Sequence, residues 1–352
     1  MGVVNLGVKY AKQIQQRFTV GSLLQGRLEN DVEFVGARTV RVHTIVPVEV
    51  NDYDRTATAN RYGVPQEVGD TVQELTMGQD KSFTGIIDKG NSKDQAINKA
   101  GKFLKVQMDE RIIPLKDKYG LQVLANGAGV IAGSAEAISK ANVCERISTG
   151  TVALDNAEVP ADGRTLFLTA ECYKQLRLSE EFLGVEALGH KSLAKGQVGE
   201  YDNMAVIKVP ASRMPAGVNF LIVHKSAACS PAKISDTKMH TDPPGISGSL
   251  VEGRFYWDTF VFGAKAAGIY ADVDTGAVPV LAAPTVTAAG AVTLAEGCTG
   301  RYTLDGTDPR YSATAVEITA SATGLGAKGD TLRACQYKEG TFPSPVAGAV
   351  RA

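Results

Sequence analysis

Histidine and tryptophan are scarce in this chain, with 4 and 1 among 352 residues. His43, His190, His224 and His240 lie far apart, none at metal-ligand spacing from another. None neighbours a serine or cysteine in a nucleophile motif, so they read as hydrogen-bonded structural residues. The five cysteines, Cys144, Cys172, Cys229, Cys298 and Cys335, form no CxxC or similar pair. That excludes the usual zinc cage and points to reduced thiols, with Cys298–Cys335 the one pairing left open. A basic surplus is missing too: 37 Lys and Arg face 38 Asp and Glu, for a net charge of -1. A protein gripping duplex DNA through many phosphates carries such a surplus, so sequence-specific DNA binding is not expected. Long apolar runs are absent. Asn5 and Lys9 interrupt the first segment, where a signal peptide needs an unbroken apolar stretch. Thr275 to Ala295 is uncharged, but Gly276, Pro279, Pro284 and Gly290 break it, so no membrane span is expected.

What the chain does have is size and patterning. Its length and 44% apolar content suit two domains, each able to bury a core. Residues 1–28 carry Lys9, Lys12, Arg17 and Arg27 with no acid, and Val8, Ala11 and Ile14 repeat at helical spacing. They read as a docking arm or a solvated terminus. Val40, Val42, Thr44, Val46, Val48 and Val50 alternate with mostly polar residues, predicting a half-buried strand. A polar tip follows, Asn51 to Pro65, and a weaker alternation returns through Val68, Val72 and Leu75. The whole predicts a long hairpin with a wide hydrophilic end, a structure that suits a partner better than a monomer.

Ser92 and Gln95 form a capping-box signature. Ile97, Ala100, Leu104, Met108 and Ile112 then line one helical face, with Pro114 expected to kink or end the helix before a continuation toward Leu124. Beyond it, Ser134–Ile147 reads as helix, Arg164–Leu168 as a buried strand, and Ala170–Leu178 as a helix capped by Thr169. Met204–Val209, Val218–His224 and the aromatic Arg254–Phe262 read as strands. Gly127, Gly129 and Gly133 follow a helix rather than a strand, so they suggest a flexible turn and not a phosphate cradle. Glu180 and Glu181, at a helix end, read as a solvated face. After Ala271 the composition turns to Ala, Thr, Val and Gly with regular turns. Short alternating runs at Val292–Leu294, Tyr302–Leu304, Val316–Thr319 and Leu332–Tyr337 predict a small β-sandwich. Asp305 and Asp308 read as turn formers rather than half a calcium loop.

Two stretches carry a resemblance. YDNMAVIKVPASRMPAGVNFLIVHKSAACSPAKI (Tyr201–Ile234) is similar to the strand–loop–strand region of tailed-phage major capsid proteins. PPGISGSLVEGRFYWDTFVF (Pro243–Phe262, with Asp258) resembles their closing segment. The order of arm, hairpin, long helix and mixed body agrees with the Hong Kong 97-type fold over residues 1–271. RYTLDGTDPRY (Arg301–Tyr311), with Thr331–Tyr337 and Pro343–Val346, resembles the small C-terminal β-sandwich of chitobiase-type enzymes.

The resemblance implies an α+β protein: a capsid domain over 1–271 (arm 1–30, hairpin 44–77, spine helix 92–124, body 130–271), a linker at 272–283 and an immunoglobulin-like domain over 284–352. It implies a non-enzymatic shell subunit without cofactor, forming hexamers and pentamers of a virion assembled in the bacterial cytoplasm. Asp52, Asp54, Arg55, Arg61 and Tyr62 at the hairpin tip are the candidates for contact between subunits, and their ion pairs set register more than affinity. A separate scaffolding protein and a portal are implied partners, packaged DNA is met non-specifically, and the C-terminal domain is a candidate for glycan or host-surface contact. Truncation after Ala271 is expected to spare assembly. The family's Lys–Asn isopeptide cross-link has no placeable counterpart here. The alternative readings are a surface carbohydrate-binding protein built on the C-terminal sandwich and a hydrolase with an unrecognised site.

Overall fold

The computed structural model describes residues 21–29, 38–90 apart from Pro47, Glu49, Ala57 and Gln66, 100–179 and 197–352. These residues divide into two units. One takes 21–29, 77–261 and 265–278. The other takes 38–76, 262–264 and 279–352. The expected arm helix, the Ser92 capping box, His190 and the Glu180–Glu181 pair lie outside the described residues.

The chain first forms an antiparallel ribbon, β1 (Thr39–Ile45) with β2 (Asp70–Thr76). This belongs to the second unit. The first unit begins with β3 (Gln79–Asp88) and then a helix in three consecutive parts: α1 (Ala100–Gln107), a π turn (Met108–Ile112) and α2 (Ile113–Asn126). Pro114 does not end this helix. The Ile113 N–H bonds the Met108 carbonyl five residues back. That widened turn accommodates the place where Pro114 has no N–H to give.

After it come β4 (Val130–Ser134), α3 (Val143–Asn156), β5 (Arg164–Thr169), α4 (Ala170–Leu178), β6 (Gln197–Tyr201), β7 (Met204–Val209) and β8 (Val218–His224). Next are β9 (Ala228–Cys229), β10 (Ala232–Thr241), β11 (Gly248–Trp257), β12 (Phe260–Val261) and β13 (Ile269–Asp274). Six of these strands form one mixed sheet in the order β4-β13-β8-β5-β7-β6. Its middle strands β5 and β8 read as continuous apolar runs because both faces are covered. On one face Val143, Cys144, Ile147 and Leu154 of α3 and Cys172 and Leu176 of α4 pack on Leu166, Leu168, Phe220 and Ile222. Gly150 permits that approach, since a Cβ there would lie 2.8 Å from Ile222 and 2.9 Å from Tyr270. The helix α2 contacts β8 and β13 and buries Leu121 and Leu124. A separate three-stranded sheet, β10-β11-β3, packs Phe255, Trp257 and Phe83 against Met108 and Ile112.

The second unit also holds β14 (Thr285–Val286) paired with β15 (Val292–Thr293). It holds a four-stranded sheet as well, built from β16 (Thr299–Thr303), β17 (Val316–Ile318), β18 (Thr331–Tyr337) and β19 (Ala347–Val350) in the order β17-β16-β18-β19. Val292, Leu332 and Ala334 form its core.

Several expectations need correction. The segment Val130–Ser134, expected as turn and helix start, is a strand, because β13 offers it a parallel partner far along the chain. The helix expected from Ser134 begins only at Val143, after a turn in which Asn142 Oδ1 accepts the Ser139 N–H at 2.8 Å. The boundary expected at Ala271 falls inside β13, where Ala271 is buried between β4 and β8. The hairpin groups with the C-terminal strands rather than with the body. All five cysteines are buried and free, Cys298 and Cys335 included.

Candidate functional site

The ribbon β1–β2 has the alternation its sequence predicts. Val40, Val42 and Thr44 are half-buried, while Thr39, Arg41, His43 and Ile45 are exposed. Cross-strand pairs hold the register: Arg41 Nη2 to Glu74 Oε1 at 2.7 Å, His43 Nδ1 to Asp70 Oδ2 at 2.5 Å, and the hydroxyls of Thr39 and Thr76 at 2.8 Å. These exposed pairs are worth about 0.5 kcal/mol each. The last rung is the Val46 N–H on the Gly69 carbonyl at 3.0 Å.

Beyond it the chain opens into the tip. The Asp54 N–H bonds the Arg61 carbonyl at 3.0 Å, and the Gly63 N–H bonds Asn60 at 2.8 Å. Asn60 and Gly63 take positive φ, 52° and 92°, where a short polar residue and glycine cost least. Asp52, Asp54, Arg55, Arg61 and Tyr62 all lie on this loop and all are exposed. Asp54 has a local task as well: its Oδ1 accepts the Thr56 N–H at 2.8 Å and the Thr56 hydroxyl at 2.6 Å, an Asx turn that shapes the loop. The rings of Tyr53 and Tyr62 meet edge-on at 4.9 Å.

Charge drew attention to this loop in the sequence, yet apolar exposure is its larger feature. Val50 is 99% exposed, Tyr62 84%, Val64 73%, Ile45 72% and Val68 62%. Val46, Val48 and Val50, expected on a half-buried face, are exposed because the finger past Ile45 has no second layer to cover them. A row of large apolar side chains on a slender ribbon is the mark of a surface completed by another molecule.

Three buried carboxylates stiffen the first unit. Asp117 Oδ2 accepts Arg213 Nη1 at 2.8 Å and the Leu23 N–H at 3.0 Å, and Oδ1 accepts the Ser22 hydroxyl at 3.0 Å. Burial holds its carboxyl above the ordinary range against the pull of those donors. Asp272 takes Arg146 at 2.6 and 2.9 Å and Asn219 at 2.9 Å, and burial raises it likewise. Asp258 takes the N–H groups of Gly78 and Thr259 and the Tyr119 hydroxyl, each at 2.7 Å. Sequence reading passed over all three as site residues, since their partners lie up to 180 positions away.

In the second unit Asp305 accepts both the N–H and the hydroxyl of Thr307, and Asp308 pairs with Arg310 at 2.7 Å, so both serve turns. His43, His224 and His240 each hold a hydrogen-bond partner. Among the described residues no group of three or more His, Cys, Asp or Glu is placed to hold a metal ion, and no described helix is long and apolar enough to cross a membrane.

No family model and no curated protein matches the sequence. Solved structures do match the fold. A structure from Mycobacterium phage Che8 superposes with a TM-score of 0.61 at 16% identity, over 77% of this chain and 97% of that one. The capsid of cyanophage P-SCSP1u gives 0.62 at 10% identity, over 76% and 92%. The mature capsid of bacteriophage PhiM1 gives 0.60 at 10%, over 77% and 92%. The chain has the Hong Kong 97-type capsid fold. Within that fold the expected hairpin and long helix are present as the ribbon β1–β2 and as α1–α2, while about a quarter of the chain lies outside the superposed part.

Proposed function

We propose that this chain is a structural shell subunit of a tailed-phage head. The observation that carries the reading is the near-complete coverage of phage capsid chains by about three-quarters of this one. The exposed finger supports it: Val50, Tyr62 and Val64 stand bare on a ribbon that one copy of the chain does not cover. In a shell, repeated head-to-tail contacts close into rings of six and five, and each finger lies against a neighbour. The apolar residues of the finger then supply the contact, while Asp52, Arg55 and Arg61 select its register. The role is structural, so no catalytic group and no cofactor is assigned. Scaffolding protein and portal are the expected helpers, assembly takes place in the host cytoplasm, and packaged DNA meets the inner wall without sequence preference. The quarter of the chain beyond the superposed part suits an immunoglobulin-like domain on the shell surface, with a glycan or host-surface ligand.

The test is expression with and without a candidate scaffold, followed by sedimentation and negative-stain microscopy. Shells, sheets or ring-shaped oligomers support the reading. Lone molecules at high concentration with a genuine scaffold present overturn it.

A further inference from the structure

The ribbon β1–β2 has a problem that its own sequence does not solve. Two strands alone are marginally stable, and each leaves one edge of unpaired backbone groups. On β2 that edge is partly occupied. Val46 and Gly69 form a hydrogen-bonded rung. Bonded and non-bonded pairs alternate along an antiparallel ladder, so Val72, opposite His43 three pairs on, belongs to the non-bonded set. Its carbonyl therefore points away from β1. That carbonyl accepts the N–H of Ala313 at 3.0 Å, from the turn between β16 and β17.

A second contact lies one residue on. Gln73 Oε1 accepts the N–H of Gly263 at 2.8 Å. Gly263 in turn lies against Tyr311: a Cβ built on it would stand 2.6 Å from the Tyr311 Cβ, so only glycine fits. Arg310 also meets Tyr311: its guanidinium carbon is 5.3 Å from the ring centre, and Asp308 fixes the guanidinium at 2.7 Å. The residues of the RYTLDGTDPRY run thus have a use inside the chain. Asp308 positions Arg310, Arg310 covers Tyr311, and the Tyr311–Ala313 turn meets the finger's base strand. All of these residues fall in one compact unit.

We propose that the C-terminal β-domain is an intramolecular brace for the finger. It caps the open edge of β2 at Val72 and clamps Gln73 through Gly263, so that finger base and C-terminal domain move as one body. Such a brace orders the finger before any neighbour is met and lowers the entropy lost when the finger docks. It assigns the C-terminal domain a role that needs no outside ligand.

Amide hydrogen exchange on the full-length, unassembled chain tests this. In the unaltered chain the amides of Gly263 and Ala313 are expected to be protected, together with those of β2. In Tyr311→Ala the amides of Thr71–Leu75 and of Ala313 are expected to exchange about tenfold faster, as follows from losing a hydrogen bond and its packing. Those of β5, in the other unit, are expected to be unchanged. Gln73→Ala is a milder variant that accelerates Gly263 alone. Exchange of Gly263 and Ala313 at unprotected rates in the unaltered chain overturns the proposal without any variant. So does an unchanged β2 in a folded Tyr311→Ala chain. The measurement uses lone subunits, so its failure leaves the shell reading standing, and failure to form shells leaves the brace standing.

Discussion

Tyr119 donates its hydroxyl hydrogen to Asp258 at 2.7 Å, joining the middle of α2 to the end of β11. The other carboxylate oxygen of Asp258 holds the Gly78 N–H, where the chain enters β3. One buried carboxylate thus fastens the helix, the three-stranded sheet and the entry to that sheet. Asp258→Ala strands these donors away from water and is expected to cost about 3 kcal/mol. Tyr119→Phe leaves the two N–H bonds intact and is expected to cost about 1 kcal/mol. Urea unfolding of the two variants measures both values, and equal losses would mean that the N–H bonds to Asp258 contribute nothing.

The same pair sets a response to alkali. Burial first, then the Asp258 hydrogen bond and charge, push the Tyr119 hydroxyl up from 10.0 to about 12. The folded chain therefore keeps a proton that the unfolded chain releases. The stability from this group is fully present below pH 10.0 and declines as pH rises toward about 12. Unfolding midpoints across that window are expected to fall less steeply in Tyr119→Phe than in the unaltered chain.

Arg213 and Asp117 form a buried ion pair that also gathers Ser22 and Leu23. Arg213→Ala leaves the carboxylate buried without its countercharge, an expected loss of about 3–5 kcal/mol. Limited proteolysis is expected to cut near Gly21–Leu24 in that variant first, because Arg213 also bonds the Gly21 carbonyl. Cleavage at the same rate as in the unaltered chain would show that the pair does not hold that segment.

Removal of Asp52–Tyr62 takes away the exposed tip and leaves the β1–β2 rungs in place. The expected product is soluble and folded by circular dichroism but forms no particles under the microscope. Normal particles from it would argue strongly against a finger that grips a neighbour.

Where the chain is cut decides another outcome. Ending it at Ala271 removes Asp272 and with it the partner of Arg146 and Asn219 in the six-stranded sheet. Half-buried Arg146 then loses its countercharge and β13 loses its last three residues, so this truncation is expected to be insoluble. Ending at Val278 keeps all of β13, and circular dichroism of the soluble fraction separates the fates of the two shortened chains.

The residues explain which features could be read in advance. β5, β7 and β8 were legible because buried strands need unbroken apolar runs, and α4 because Thr169 accepts the Cys172 N–H at 3.2 Å as a cap should. β10 was not legible: nine of its ten residues are exposed, so no alternation marks it, and its pairing comes from β11. β4 hid in a glycine-rich run because its partner β13 lies more than 130 residues on. The finger's position was legible from Val40, Val42 and Thr44, but its support was not, because Val72 meets Ala313 only through folding. The tip charges are legible, whereas the bare valines read as an inward face, since period-2 patterning reports a face without saying what covers it.

The π turn at Met108–Ile112 sets the phase of everything downstream in its rod. One residue of α-helix turns the axis by about 100°, so a single extra residue absorbed there swings the faces of α1 and α2 apart by that much. Leu121 and Leu124, downstream of that turn, are fully buried. Shortening Met108–Ile112 by one residue would regularise the rod and rotate those leucines out of register, turning a local gain in helical order into a misfit along its second half.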